Sequence, residues 1–301
     1  MKILLVQVDG KLPNLALMKI SGYYKDLGHE TGFNFEQPDE VWVSCIFQKN
    51  LTQARGIQYF YPDAKFYLGG PALMEPNELP PEIEHHLPDY SLYDVDYSNG
   101  YTQRGCIRNC PFCIVPRIEG KFREHKKIPE FHKDEHNKLL LYDNNFFASK
   151  IWKEKLNYIH ENDLKVSFNQ GLDARLMDGE KSKWLADTKS YDLEFKTRRT
   201  YFAYDLMENG DRIIHGLQNV IDAGIKPRNL MVYELVGFNT SHQEDIQRFK
   251  ELIEIGVDPF IMVYNNRKDD PWIRHFARWV NKRIYKACDF ADYKDGILIE
   301  L

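Results

Sequence analysis

The chain has 301 residues, 43% of them hydrophobic, with a formal net charge of -5 from 40 basic and 45 acidic side chains. That length suits one large core or a small domain joined to a larger one, and the charge excludes a global electrostatic footprint for nucleic acid. No apolar run approaches the roughly 20 residues that span a bilayer, and the opening MKILLVQVDG lacks the layout of an export signal, so a soluble, cytoplasmic protein without membrane partners is expected.

In chain order, the first expected element is a strand at 2–8 (KILLVQV), a nearly continuous apolar run of the kind buried on both faces of a parallel sheet. A helix follows at 15–27, where Leu15, Met18, Tyr23 and Leu27 share a face and Gly28 is placed to stop it. Segments 41–47 (VWVSCIF) and 65–68 (KFYL) are further strands. Strands and helices alternating at this spacing predict a doubly wound α/β unit over 1–75. Pro71, Pro76, Pro80, Pro81 and Pro88 then rule out regular helix, so 76–97 reads as a linker.

Beyond it lie a cysteine-rich loop and strand-like segments at 139–142, 166–168, 200–204, 230–236 and 260–264, with amphipathic stretches such as 150–159, 211–223 and 242–255 between them. Strand starts recur about every 30 residues, the period of βα units. With one more strand before Cys106, six units over 98–270 predict an incomplete parallel barrel, which carries its chemistry at the C-terminal ends of its strands. The polar residues sit at those ends: Asp143-Asn144-Asn145, Asn169-Gln170 with Asp173 and Arg175, Asp205, and Asn265-Asn266. The segment 271–301 is rich in aromatics, Trp272, Phe276, Trp279, Tyr285 and Phe290, which at helical spacing favour packing that closes the barrel over stacking of nucleobases.

Three of the five cysteines, Cys106, Cys110 and Cys113, fall within one short loop, Arg104-Gly105-Cys106-Ile107-Arg108-Asn109-Cys110-Pro111-Phe112-Cys113. In a chain without an export signal that clustering points to metal binding over disulfides. Three thiolates suit an iron-sulfur cluster, whose ligands are usually four cysteines. A zinc site needs a fourth ligand, for which His125 is the nearby candidate, and the loop lacks the paired-ligand spacing of structural zinc sites. Cys45, inside an apolar strand, reads as core, and Cys288 as a candidate auxiliary ligand. Two basic runs, one within 104–127 and one at Lys196, Arg198 and Arg199, read first as solvated surface and second as a groove for a nucleotide or nucleic acid base.

The spacing Cys-x3-Cys-x2-Cys, with Phe112 directly before the last cysteine, resembles the signature of the radical S-adenosylmethionine (SAM) superfamily. The resemblance covers nearly the whole chain. KILLVQVDG, LGHET, VWVSC and LGGP resemble the N-terminal domain of the cobalamin-binding-type subfamily, and YTQRGC, LYDNNF, FNQGLDAR, AGIKPRNLMVYELVGF and IGVDPFIMVYN resemble successive barrel strands, most like those of small phage-associated members of unknown function. The resemblance implies a small Rossmann-like N-terminal domain followed by an incomplete (β/α)6 radical SAM barrel. It also implies a [4Fe-4S] cluster on Cys106, Cys110 and Cys113, SAM at the iron without a protein ligand, and an electron donor such as flavodoxin or ferredoxin.

Two departures accompany it. The front domain lacks the Asp-x-His-x-x-Gly motif that supplies a lower cobalt ligand, so a degenerate docking or substrate-binding domain is the expectation and cobalamin binding the alternative. Asp143-Asn144-Asn145 stands where many families carry Gly-Gly-Glu to meet the SAM amino group. By position the resemblance assigns Asp205 to the SAM ribose, Arg175 to its carboxylate and Gly237 to close approach of adenine. The rival reading is a zinc or iron-sulfur module that binds a partner without catalysis.

Overall fold

The computed structural model describes residues 1–266 and 270–293. It is a mixed α/β structure with parallel sheets, and it divides into two compact units, Met1–Asn144 with Glu161–Leu164, and Asn145–His160 with the chain from Lys165 onward.

The first unit carries β1 (Lys2–Gln7), α1 (Leu15–Asp26), β2 (Glu30–Gly32), β3 (Glu40–Ser44), α2 (Leu51–Gly56), β4 (Lys65–Gly69), α3 (Pro81–Glu84), β5 (Ser98–Gly100), β6 (Gln103–Arg104), α4 (Val115–Ile118), β7 (Arg123–Glu124) and β8 (Lys138–Leu141). The sheet order is β2-β1-β3-β4 and every pairing is parallel. Apolar side chains leave both faces of its inner strands: Ile3, Leu5 and Trp42 pack with Leu17, Ile20 and Tyr24 of α1, and Leu4, Val41 and Val43 with Ala54 of α2. Cys45 is fully buried in the second cluster, as its apolar neighbours predict. Asn14 caps α1 by accepting from the Leu17 N–H at 3.1 Å. Strand β2 has only three residues and no apolar pattern, which leaves it without a signal in the sequence.

The Pro-rich stretch differs from the bare linker expected at 76–97. It is a strap laid along α1, because its side chains have partners there. Ile83 enters the core, Glu84 meets Lys19 at 2.6 Å, and Asp89 accepts from the Ser21 hydroxyl at 2.6 Å. A Cβ on Gly22 would stand 2.4 Å from the Leu87 carbonyl oxygen, so the strap's approach requires glycine in the helix. Further on, β5 pairs in parallel with β8, Ser98 opposite Leu139, and supplies the extra strand expected before Cys106.

The second unit carries α5 (Trp152–Glu161), β9 (Lys165–Phe168), α6 (Gly179–Asp187), β10 (Thr200–Tyr204), α7 (Gly210–Asp222), β11 (Leu230–Val236), α8 (His242–Glu254), β12 (Asp258–Val263) and α9 (Pro271–Asn281). Strands β10, β11 and β12 form a parallel sheet in that order. Its Phe202, Tyr204, Val232 and Val236 are fully buried, while the alternate residues Tyr201 and Tyr233 stack at 5.5 Å on the less buried face. Within the segment 271–301, Phe276 and Trp279 of α9 pack on Phe249 of α8 with Tyr285 and Phe290, so these aromatics serve packing; residues 294–301 lie outside the described residues.

Candidate functional site

The cysteine loop is the excursion of a narrow hairpin. Strands β6 and β7 pair antiparallel, Gln103 with Glu124 and Arg104 with Arg123, and Cys106 forms a bridge to Lys121. Gly105 makes this possible: its φ is +68°, and a Cβ there would stand 2.3 Å from the Lys121 carbonyl oxygen. The Cys113 N–H closes a turn on the Cys110 carbonyl at 3.0 Å. All three thiols are half-buried, as is Phe112, and the Arg108 N–H lies 3.3 Å from the Cys106 sulfur. Hydrogen bonds of this kind to sulfur tune the potential of an iron-sulfur cluster.

Three acidic or amide side chains brace the hairpin from within the same unit. Asp143, just past β8, accepts from the N–H groups of Thr102 at 2.6 Å and Gln103 at 3.2 Å and from the Thr102 hydroxyl. Glu119 accepts from the Gly105 N–H at 2.8 Å and from the Asn144 amide at 2.9 Å, and Arg104 approaches it at 3.5 Å. The tripeptide Asp143-Asn144-Asn145 therefore orients the cysteine hairpin through its first two members. Asn145 belongs to the second unit and donates to Asp173 at 3.2 Å.

The donor chemistry fits an iron-sulfur cluster: three thiols on one braced hairpin. Among the described residues, no three or more His, Cys, Asp or Glu side chains stand together as a metal-holding group. The histidine a zinc site would enlist is held elsewhere, with His125 Nε2 at 2.9 Å from Glu84. Burial would raise the Glu84 carboxyl, but the His125 and Lys19 hydrogen bonds and charges outweigh it and hold the group at about 2. Cys288, the candidate auxiliary ligand, lends its backbone carbonyl to Trp279 Nε1 at 3.0 Å. Cobalamin fares differently: at the β1 and β3 ends Asp9 accepts from the Ile46 and Phe47 N–H groups and from Asn50, and neither loop contains a histidine, so these residues do not fit a cobalt ligand set.

The strand tips of the second unit hold the remaining candidates. Arg175 makes a two-point pair with Asp173, Nε to Oδ1 at 2.6 Å and Nη2 to Oδ2 at 3.0 Å, the salt bridge that a strand-end arginine favours. Asp205 follows β10 directly, and burial lifts its carboxyl to about 6, against the pull of Arg248 and Arg175 and with a push from Asp173. Gly237, after β11, has φ +79°. Behind the tips Arg248 of α8 is fully buried. It donates to the carbonyl oxygens of Tyr204 at 2.9 Å and Leu235 at 2.7 Å, and to Asp245 at 2.6 Å. Glu234 of β11, also fully buried, has its carboxylate 3.7 Å from the same guanidinium.

Much of the basic character of the two runs is internal. Arg117 donates to the Met74 carbonyl, Arg123 to Glu119 and Glu78, Arg198 to the Thr188 carbonyl and Arg199 to Asp258. Lys126 is buried. Lys121 and Lys127 stay exposed. Arg248 and Glu234 are not among the residues the sequence motifs point to, though both carry a signal: Asp245 and Arg248 lie on the stripe of α8 that also bears Phe249 and Leu252, and Glu234 interrupts the apolar strand LMVYELV. Compared with known proteins, the chain matches no protein-family model and no curated protein.

Proposed function

We propose that the chain is a radical SAM enzyme that reductively cleaves SAM and uses the resulting 5′-deoxyadenosyl radical to abstract hydrogen from its substrate. The accompanying fold reading is a small Rossmann-like N-terminal domain followed by an incomplete (β/α)6 barrel. The observation that carries the proposal is the cysteine hairpin, in which Gly105, Asp143 and Glu119 fix a short excursion bearing three thiols and an N–H directed at the Cys106 sulfur.

Cys106, Cys110 and Cys113 would hold a [4Fe-4S] cluster, which when bound supplies the electron that splits the sulfur to C5′ bond of SAM. Asp143 and Glu119 hold the hairpin in place, and half-burial of the thiols limits water at the site. Asp205 is assigned to the SAM ribose as an acceptor for two hydroxyls, a role it fills when ionised. Arg175 is assigned to the SAM carboxylate, with Asp173 setting its orientation. A flavodoxin or ferredoxin is the electron donor, and a nucleotide or nucleic acid base is the proposed substrate class, supported by the exposed Lys121 and Lys127.

Anaerobic reconstitution tests the reading directly. About four irons with matching sulfide per chain are expected, and dithionite with SAM should release 5′-deoxyadenosine. Release that persists in Cys106→Ala, or a single bound zinc in place of iron, would overturn the proposal in favour of a metal-binding module.

A further inference from the structure

The buried polar cluster behind β10 and β11 has one guanidinium and two carboxyl groups that compete for it. Arg248 reaches the Tyr204 carbonyl, which is the peptide group leading into Asp205, and the Leu235 carbonyl, two residues before Gly237. Asp245 holds the same guanidinium at 2.6 Å and is itself held by the Thr240 hydroxyl at 2.5 Å. Tyr204 is locked as well, its hydroxyl donating to Glu251 at 2.7 Å with the Arg248 guanidinium 5.7 Å from its ring. Glu234 stands apart in this group. Neither of its oxygens has a hydrogen-bond partner among the described residues, although the side chain is fully buried.

A buried carboxylate without a hydrogen bond is far more costly than the protonated acid. Burial pushes the Glu234 carboxyl well above the carboxylate range. Arg248 opposes the shift, and Asp245, Glu251 and Asp205 reinforce it, so the groups acting on Glu234 come from α8 and from the β10 tip. Arg248 already has a carboxyl partner in Asp245, at 2.6 Å.

We propose that Arg248 is the positioning residue of the strand tips, fixing the backbone that carries Asp205 and Gly237, and that Glu234 is its alternative partner, a carboxyl that draws the guanidinium off those carbonyls on losing its proton. The consequence for SAM rests on the Asp205 assignment above; the consequence for the backbone does not. Above the pH at which Glu234 ionises, the guanidinium turns toward it, the tips of β10 and β11 loosen, and the ribose acceptor loses its fixed position.

Hydrogen exchange on the intact chain reads the backbone arm without any ligand. Amides at 204–206 and 235–237 should lose about tenfold of their protection as the pH is raised through the ionisation of Glu234, beyond the intrinsic base-catalysed rise, and Glu234→Gln should abolish that loss while leaving protection below it unchanged. In Arg248→Lys the same amides should be unprotected at every pH. The ligand arm is SAM affinity, which should fall about tenfold over the same range in the wild type and stay level in Glu234→Gln. An alkaline loss of protection that survives Glu234→Gln, or full protection in Arg248→Lys, overturns the proposal. If Arg248→Lys does not fold, the comparison of wild type with Glu234→Gln still decides it. A wild type that binds no SAM while the exchange results hold would sink the enzyme reading and leave the positioning role standing.

Discussion

In the cysteine hairpin half-buried thiols ride on a backbone fixed by Asp143, Glu119 and one obligatory glycine, whereas at the β10 and β11 tips a fully buried arginine holds two strand ends by their carbonyls. The hairpin gets its order from hydrogen bonds to backbone N–H groups and keeps its functional atoms partly accessible. The strand tips get theirs from charges already removed from water. A region of the first kind can gain order from a metal it binds; one of the second kind is finished before any ligand arrives, and its cost shows as shifted carboxyls.

The comparison breaks first at Gly105. Gly105→Ala forces a side chain into the left-handed region and onto the Lys121 carbonyl, and is expected to cost about 4 kcal/mol and to abolish iron loading. Thermal unfolding and iron analysis on the same sample check it; normal iron content would mean that the hairpin is not specified by its glycine.

The next largest effect is expected at Glu84. Glu84→Gln leaves Lys19, buried in α1, without its anion and should destabilise the first unit by about 3 kcal/mol. The folded carboxyl sits below its unfolded value of 4.5, so its contribution is complete above that pH and is lost as pH falls toward about 2. Acid titration of the wild type and the variant, followed by circular dichroism, should converge at the low end. Curves that run parallel to the lowest pH would show that the Lys19 and His125 contacts do not stabilise the fold.

The smallest effect sharpens the other side. Asp205 is raised from 3.8 to about 6, so its stabilising influence is present below 3.8 and is lost as pH rises through about 6. Asp205→Asn should therefore stabilise the chain at about pH 8, by about 1 to 2 kcal/mol after allowance for partial exposure, while weakening SAM binding about tenfold. Wild-type affinity should rise as pH passes upward through about 6, and the variant should show no such rise. Calorimetric titration beside thermal melts measures both, and a variant that is less stable and binds SAM normally would make Asp205 a structural residue.

Much of the strand pattern was legible because alternation and apolar runs report burial directly: 200–204 and 230–236 match β10 and β11 to the residue. Strand β12 begins two residues before the expected 260, because Asp258-Pro259 looks like a turn until its pairing with Met231 and Val232 is seen. The prolines of 76–97 do forbid a long helix, but they say nothing of whether the chain packs, and here Pro80 and Pro81 open the short α3 whose Glu84 and Ile83 secure the strap. At the site, the three thiols were legible from spacing, whereas the need for glycine just before them shows only in its φ and in the approach of the Lys121 carbonyl. What holds them was not legible, since Asp143 and Glu119 act through backbone groups remote in the chain, and charged residues in sequence read first as solvated surface.

The Glu84 carboxylate touches Lys19 on the first helix and His125 at the foot of the cysteine hairpin, 41 residues further along the chain. Removing the strap would take the hairpin's anchor with it, and removing α1 would leave that anchor without its lysine. The first helix and the cysteine hairpin are therefore coupled through one carboxylate, and an exchange of the strap demands an acid at position 84 before the hairpin can keep its stance.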